Sequence, residues 1–141
     1  MITDKRIIII NKTRFWTDSR GILFCEFQNK GTYLTLEVDA IEKYEKAISE
    51  LSQGNPMPFL IDVRDVQSNF SIETAKLFAN NVVFKKIRIS EAYVINSINT
   101  KLLINTYKRI YEPTTPFKIF KDYDEALEYL IKVKKTLDGG I

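Results

Sequence analysis

The groups in this chain that offer chemistry concentrate in one stretch, Leu60-Ile61-Asp62-Val63-Arg64-Asp65-Val66-Gln67-Ser68-Asn69-Phe70-Ser71, with a second set at Asn96, Ser97 and Asn99. An apolar run leads into the first set and a helical pattern follows Ser71. The polar residues therefore fall between a strand and a helix start. In open sheets with parallel strands, function gathers just beyond the strands' carboxyl ends, and a helix N-terminus there offers free amides to an anion. Ser71 is thus a candidate anion site or phospho-acceptor, since the helix dipole tolerates added negative charge. Asp62, Arg64, Asp65, Ser97 and Asn99 form the candidate functional rim. The plain alternative gives each a structural task. Ser71 caps a helix, a role worth about 1 kcal/mol, Asp65 forms a turn, and Asp62 accepts from loop amides. Asp62 and Asp65 could together hold a hard cation, but two carboxylates without further oxygen ligands are an incomplete set.

Histidine is absent, which removes the commonest general base and the commonest metal ligand. No glycine-rich loop follows an apolar run, and no cluster has zinc, calcium or phosphate-loop spacing. Cys25 is the single cysteine, with no Lys or Arg directly beside it. Core packing accounts for it, with a reactive thiol as the alternative. A carboxylate or lysine could act without histidine, yet nothing selects a reaction. The chain reads as a non-enzyme, with no metal and no cofactor expected.

The chain has 141 residues and a formal net charge of +3. A chain this size buries about two-thirds of its surface on folding, so residues 1–141 are read as a single domain. The longest aliphatic run, Ile7 to Ile10, falls far short of the ~20 apolar residues of a membrane span. No secretory signal pattern is visible, and a lone cysteine suits a reducing compartment, so a cytoplasmic location is expected. The basic clusters Lys85, Lys86 and Arg88, Lys108 and Arg109, and Lys132, Lys134 and Lys135 read as solvated helix ends rather than a nucleic-acid face.

Behind these residues stand the elements that must place them. Residues 6–17 and 22–28 read as a hairpin around a turn at 18–21, with Leu23, Cys25 and Phe27 on one face and Ile22, Phe24 and Glu26 on the other. Phe15 and Trp16 are adjacent and so point to opposite faces, which would leave one of them exposed for association. A short strand over 33–36 precedes a helix capped by Thr35, with Ile41, Tyr44, Ile48 and Leu51 as its apolar stripe. Residues 59–63 and 92–95 read as buried strands. A helix opened by Ser71 buries Ala75, Phe78, Ala79, Val82 and Val83. One capped by Ser97 or Asn99 buries Leu102, Leu103, Thr106, Tyr107 and Ile110. A last strand at 117–120 leads to a helix capped by Asp122, burying Ala126, Leu127, Leu130, Val133 and Leu137. The expectation is an α/β fold: a central mixed β-sheet led by an N-terminal hairpin and flanked by about four helices. The hairpin's outer strand is an isoleucine-rich edge, which suits a homodimer.

Ile61-Asp62-Val63 with Val66, followed by Ser71 at a helix start, resembles the STAS domain family, the anti-sigma-factor antagonists. In that family a buried strand carries an Asp and a phosphorylatable serine opens the next helix. The family's Asp-Ser-Ser-Gly signature is replaced here by Phe70-Ser71-Ile72-Glu73. Residues 116–122, Glu125-Ala126-Leu127 and Leu130, with residues 21–27, 35–37 and 58–64, are similar to a STAS-like subgroup of small, mostly uncharacterised bacterial proteins. The resemblance implies a STAS-like fold and a non-catalytic regulatory or protein-binding module, its partner another protein; the charge balance and the short apolar runs add the expectation of no nucleic acid and no membrane span. The topology is also similar to lipid-exchange domains of the CRAL-TRIO type, which implies an apolar ligand; with an anion at Ser71 and Ser97 as the other possibility, the alternative is a small-ligand domain for an apolar or anionic molecule.

Overall fold

The computed structural model describes residues 6–10, 12–27, 33–35, 38–65, 67–69 and 72–138. The described residues form strands β1 (Ile7–Ile10), β2 (Thr13–Thr17), β3 (Leu23–Phe27), β4 (Tyr33–Thr35), β5 (Met57–Asp62), β6 (Gln67–Asn69), β7 (Arg88–Val94) and β8 (Phe117–Phe120). Interspersed are helices α1 (Val38–Ser52), α2 (Ile72–Asn80), α3 (Val82–Ile87), α4 (Ile98–Tyr111) and α5 (Tyr123–Asp138). The main sheet has the order β1-β2-β3-β5-β7-β8, and β4 and β6 make a separate parallel pair. β1, β2 and β3 are antiparallel neighbours; β3, β5, β7 and β8 run parallel. This is the expected mixed α/β sheet.

Alternation along the central strands explains why both faces must be covered. Leu23, Cys25 and Phe59 pack with Ile41, Tyr44, Ile48, Phe84 and Ile87 beneath α1 and α3. Tyr93 and Ile95 on the same side meet Ile104 of α4. The opposite face, with Ile22, Phe24, Leu60, Ala92 and Val94, packs on Ala126 and Leu130 of α5. Helices α1 to α4 thus cover one side and α5 covers the other, and Leu23 and Ile22 are both fully buried. Gly21, at φ 78°, closes the β2–β3 turn with its N–H on the Asp18 carbonyl at 3.1 Å, a backbone position that favours glycine.

Several sequence expectations are corrected. Residues 6–17 hold two antiparallel strands, so β1, not β2, is the sheet edge. Phe15 and Trp16 do point to opposite faces, but both are buried, because β2 lies inside the sheet with a helix layer on each side. Thr35 ends β4, and α1 begins at Val38. The helix expected to run through Val83 breaks at Asn81, whose side chain accepts the Phe84 N–H at 3.0 Å and donates to Glu45 at 3.1 Å. That break gives five helices rather than four and turns Val82 out to solvent. Leu137, in the last turn of α5, is likewise exposed. The largest reversal concerns α4: of its expected apolar face, Leu102, Leu103, Thr106 and Ile110 are exposed, and Tyr107 is half-buried.

Candidate functional site

The rim is built where β5 and β7 end. Asp62 closes β5 opposite Glu26 and Val94 and is buried. Its carboxylate is gripped by Arg64 two residues on: Nε donates to Oδ1 at 3.0 Å, Nη2 to Oδ2 at 2.7 Å, and the Arg64 N–H to Oδ1 at 3.2 Å. This is the bidentate geometry that suits a guanidinium on a carboxylate. The Asp62 hydrogen bond holds the guanidinium above its ordinary range. Arg64 also lies 5.6 Å from the centre of the Tyr123 ring. Asp65 adopts φ 61°, a left-handed position that Asp tolerates better than most residues. Its N–H donates to the Asn96 side-chain oxygen at 2.8 Å, and Asn96 Nδ2 donates back to Asp65 at 2.6 Å.

The structure thus gathers Asp62, Arg64, Asp65 and Asn96, but in two closed sets. Asp62 answers Arg64 and Asp65 answers Asn96, so each carboxylate has its own side-chain partner. Ser97 occupies the N-cap position of α4 without making a side-chain cap bond. Asn99, in the first turn, is exposed. Ser71 lies outside the described residues. Among the described residues no group of three or more Asp, Glu or Cys side chains could hold a metal ion. Cys25 is buried, and burial pushes its thiol far above the ordinary range, which suits packing rather than nucleophilic chemistry.

A second polar cluster, at the other end of β7, went unseen in the sequence. Met57 pairs with Arg88 and Pro58 with Ser90, so Ile89 is an extra residue on β7. A bulge of this kind re-aims the preceding side chain, and Arg88 falls on the side of Glu91. Lys108, from the last turn of α4, contacts the Glu91 carboxylate and lies 2.9 Å from Glu112 Oε1. Arg88 reaches Glu112 at 2.6 Å and Glu91 at 3.4 Å; both contacts fall outside hydrogen-bond alignment, so Arg88 is held by charge. Tyr93 donates to Glu91 at 3.0 Å, and the Tyr107 hydroxyl donates to Glu112. Burial, reinforced by the two glutamates, drives both phenols well up. Burial works against the Arg88 charge, but Glu91 and Glu112 outweigh it and leave the guanidinium raised.

All four ionic side chains are at most 8 % exposed. Lys108 and Arg88 are therefore not solvated helix ends. Two cations face two carboxylates, a formal sum of zero, which is the condition for charge to survive burial. The signals for this cluster were spacings: Arg88 and Glu91 three apart, Lys108 and Glu112 four apart, and a glutamate inside an apolar strand.

With Lys108 in this cluster, α4 turns its opposite side outward. At 3.6 residues per turn, α4 carries four ridges of residues spaced four apart. Ile104 and Lys108 point into the fold. Ile98, Leu102, Thr106 and Ile110 point out, with Ile98 71 %, Leu102 60 % and Ile110 56 % exposed. Leu103, at 40 %, borders this ridge on one side; Lys101, Asn105 and Arg109, all exposed, border it on the other. Leu77, also exposed, lies on α2, which packs beside α4. An aliphatic ridge left in water is the unexplained feature of this surface, because scattered single apolar residues are ordinary but aligned ones mark interaction sites.

No described helix is long and apolar enough to cross a membrane. No curated protein matches the chain. Among solved structures, the chain is similar to an uncharacterized protein from the DUF3478 family with a SpoIIAA-like fold from Shewanella loihica PV-4. The TM-score is 0.54 and the identity 15 %, over 89 % of this chain and 91 % of that one. The six-stranded mixed sheet with its helix layers is accordingly a SpoIIAA-like, that is STAS-like, fold. Residues 15–134 match the family model of a domain of unknown function (DUF7793), which spans both clusters and the whole of α4, and the chain belongs to that family.

Proposed function

We propose that this domain is a non-catalytic, regulatory protein-binding module whose recognition surface is the outward face of α4. The observation that carries the reading is the exposed ridge of Ile98, Leu102, Thr106 and Ile110, on the side of α4 away from the buried Lys108. Fully burying one such aliphatic side chain yields about 1.5–3 kcal/mol, so a partner covering several of them has ample driving force. The charged groups of the two clusters support the same reading, because each of them is already paired. Arg64 holds Asp62, Asn96 holds Asp65, and Lys108 lies between two glutamates.

Recovery of the intact protein from lysate of its own host tests this. A stoichiometric partner is expected with the parent protein and is lost with Leu102→Asp, a surface change whose stability cost falls within about 0.5 kcal/mol. Recovery of the domain alone, at low and high salt, would count against the reading.

A second contact is favoured by β1. It is the sheet edge, and Ile7 and Ile9 on it are exposed. A second copy added antiparallel along β1 would satisfy that edge in the manner of strand addition.

A further inference from the structure

Resting on the protein-binding reading, we infer that the partner presents an amphipathic helix whose polar flank is acidic. The geometry selects a helix. Ridges of residues spaced four apart are the surfaces by which helices interlock, and the Ile98–Leu102–Thr106–Ile110 ridge is of this type, continuous and outward along α4. The charge selects acid. The bordering ridge is Lys101, Asn105 and Arg109, all exposed. Neither α3 nor α4 contains an Asp or Glu; α2 contributes one, Glu73; and Lys76, Lys85 and Lys86 on these helices are exposed as well. A docked helix with an aliphatic ridge and a carboxylate flank would cover the apolar row and neutralise the cations beside it.

Two other occupants fit less well. A second copy packing α4 against α4 would oppose Lys101 and Arg109 to their own equivalents with no carboxylate on either helix, and like charges brought together suppress association. An anionic membrane surface would be met by interfacial Trp or Tyr among the protruding residues, whereas among the described residues every large exposed apolar side chain is Ile, Leu or Val.

The test uses the full chain and two synthetic amphipathic helical peptides with the same leucine stripe, one flanked by Glu and one by Lys. Fluorescence titration should show the Glu peptide binding about tenfold more tightly than the Lys peptide. That preference should shrink between 0.1 M and 1 M salt, as the screening length falls from ~10 Å to ~3 Å. K101E/R109E should reverse the preference, and Leu102→Asp should abolish both complexes. Equal affinity for the two peptides would overturn the acidic assignment while leaving a protein-binding α4. Binding to neither peptide would overturn the helical partner, and the lysate recovery with Leu102→Asp would still decide the broader reading. Binding to phosphatidylglycerol-rich vesicles in place of the peptides would overturn both. Concentration-dependent dimerisation abolished by Leu102→Asp would assign the ridge to a second copy and overturn the acidic partner.

Discussion

Removing the Lys108 charge should cost this domain more than any other single conservative change. Lys108→Met keeps most of the side-chain volume and deletes the ammonium. Glu91 and Glu112, 1 % and 4 % exposed, would then share Arg88 alone, so one negative charge stays buried without compensation. Breaking a buried ion pair by removing one partner costs about 3–5 kcal/mol. A domain of this size has a total stability of roughly 5–15 kcal/mol, so the variant should still fold. With a urea slope of about 1.5–2 kcal/mol per molar, the unfolding midpoint should drop by roughly 2 M. The second arm is Lys108→Met/Glu112→Gln, which removes one charge of each sign and leaves Arg88 facing Glu91. It should recover at least about 1 kcal/mol relative to the sum of the two single changes, since groups in one network are not additive. Urea unfolding followed by tryptophan fluorescence reads both, because Trp16 is buried in the sheet. A Lys108→Met midpoint within about 0.3 M of the parent, a loss of only about 0.5 kcal/mol, would mean that the cluster is not the buried, mutually dependent set described above.

The orientation of α4 predicts an asymmetry between neighbours: Ile104→Ala should cost about 2–5 kcal/mol as a buried truncation, whereas Leu102→Ala should stay within about 0.5 kcal/mol, and equal losses in urea unfolding would refute the orientation. Stability should fall at alkaline pH, because the folded pKa values of Cys25, Tyr93 and Tyr107 lie above their unfolded values. The unfolded chain releases these protons above about pH 9–10 while the folded chain keeps them, so each group costs up to ~1.4 kcal/mol per pH unit there and nothing below. Urea midpoints that stay level from pH 8 to pH 11 would contradict this. At the sheet edge, Ile9→Lys should convert a dimer to a monomer in sedimentation velocity if β1 joins two copies, and a monomeric parent protein would dispose of that contact.

Where the sequence was readable, one physical cause dominated. In β3, alternation alone placed Leu23 and Cys25 on one side and Ile22 and Phe24 on the other, because a strand covered on both faces has no freedom to choose. The stripe of α1 and the inner residues Ala126 and Leu130 of α5 were legible for the same reason: each helix had one apolar face and one sheet to meet. The rim was half legible. Asp62, Arg64, Asp65 and Asn96 do come together, but their pairing depends on backbone turns, including the left-handed Asp65, that residue types do not announce. The break at Asn81 has neither glycine nor proline to mark it; a capping side chain in mid-pattern was the signal. For α4 the periodicity offered a richer aliphatic stripe than the one that is buried, and the side that faces inward carries Lys108 onto a glutamate of β7.

That choice can be argued as a competition between two rotations of one helix. Rolling α4 by about 140°, at 3.6 residues per turn, would bury the Ile98–Leu102–Ile110 ridge and release Lys108 to water. Hydrophobic burial favours the roll. What opposes it is Glu91, fixed in the middle of β7 and 1 % exposed, which would lose the lysine that compensates it. A buried charge of this sort adds little net stability, but it can select one packing over another. The double substitution Glu91→Leu/Lys108→Leu tests this, because it removes one charge of each sign and leaves Arg88 paired with Glu112. Replacing buried ion pairs with apolar residues is often neutral or stabilising by about 1–4 kcal/mol, so the fold should persist. The outward ridge should not: amide signals of residues 98–111 should broaden or double, and partner recovery should fall although the midpoint does not drop. Sharp, parent-like signals over α4 in that variant would show that the roll is set by something other than the charge on β7.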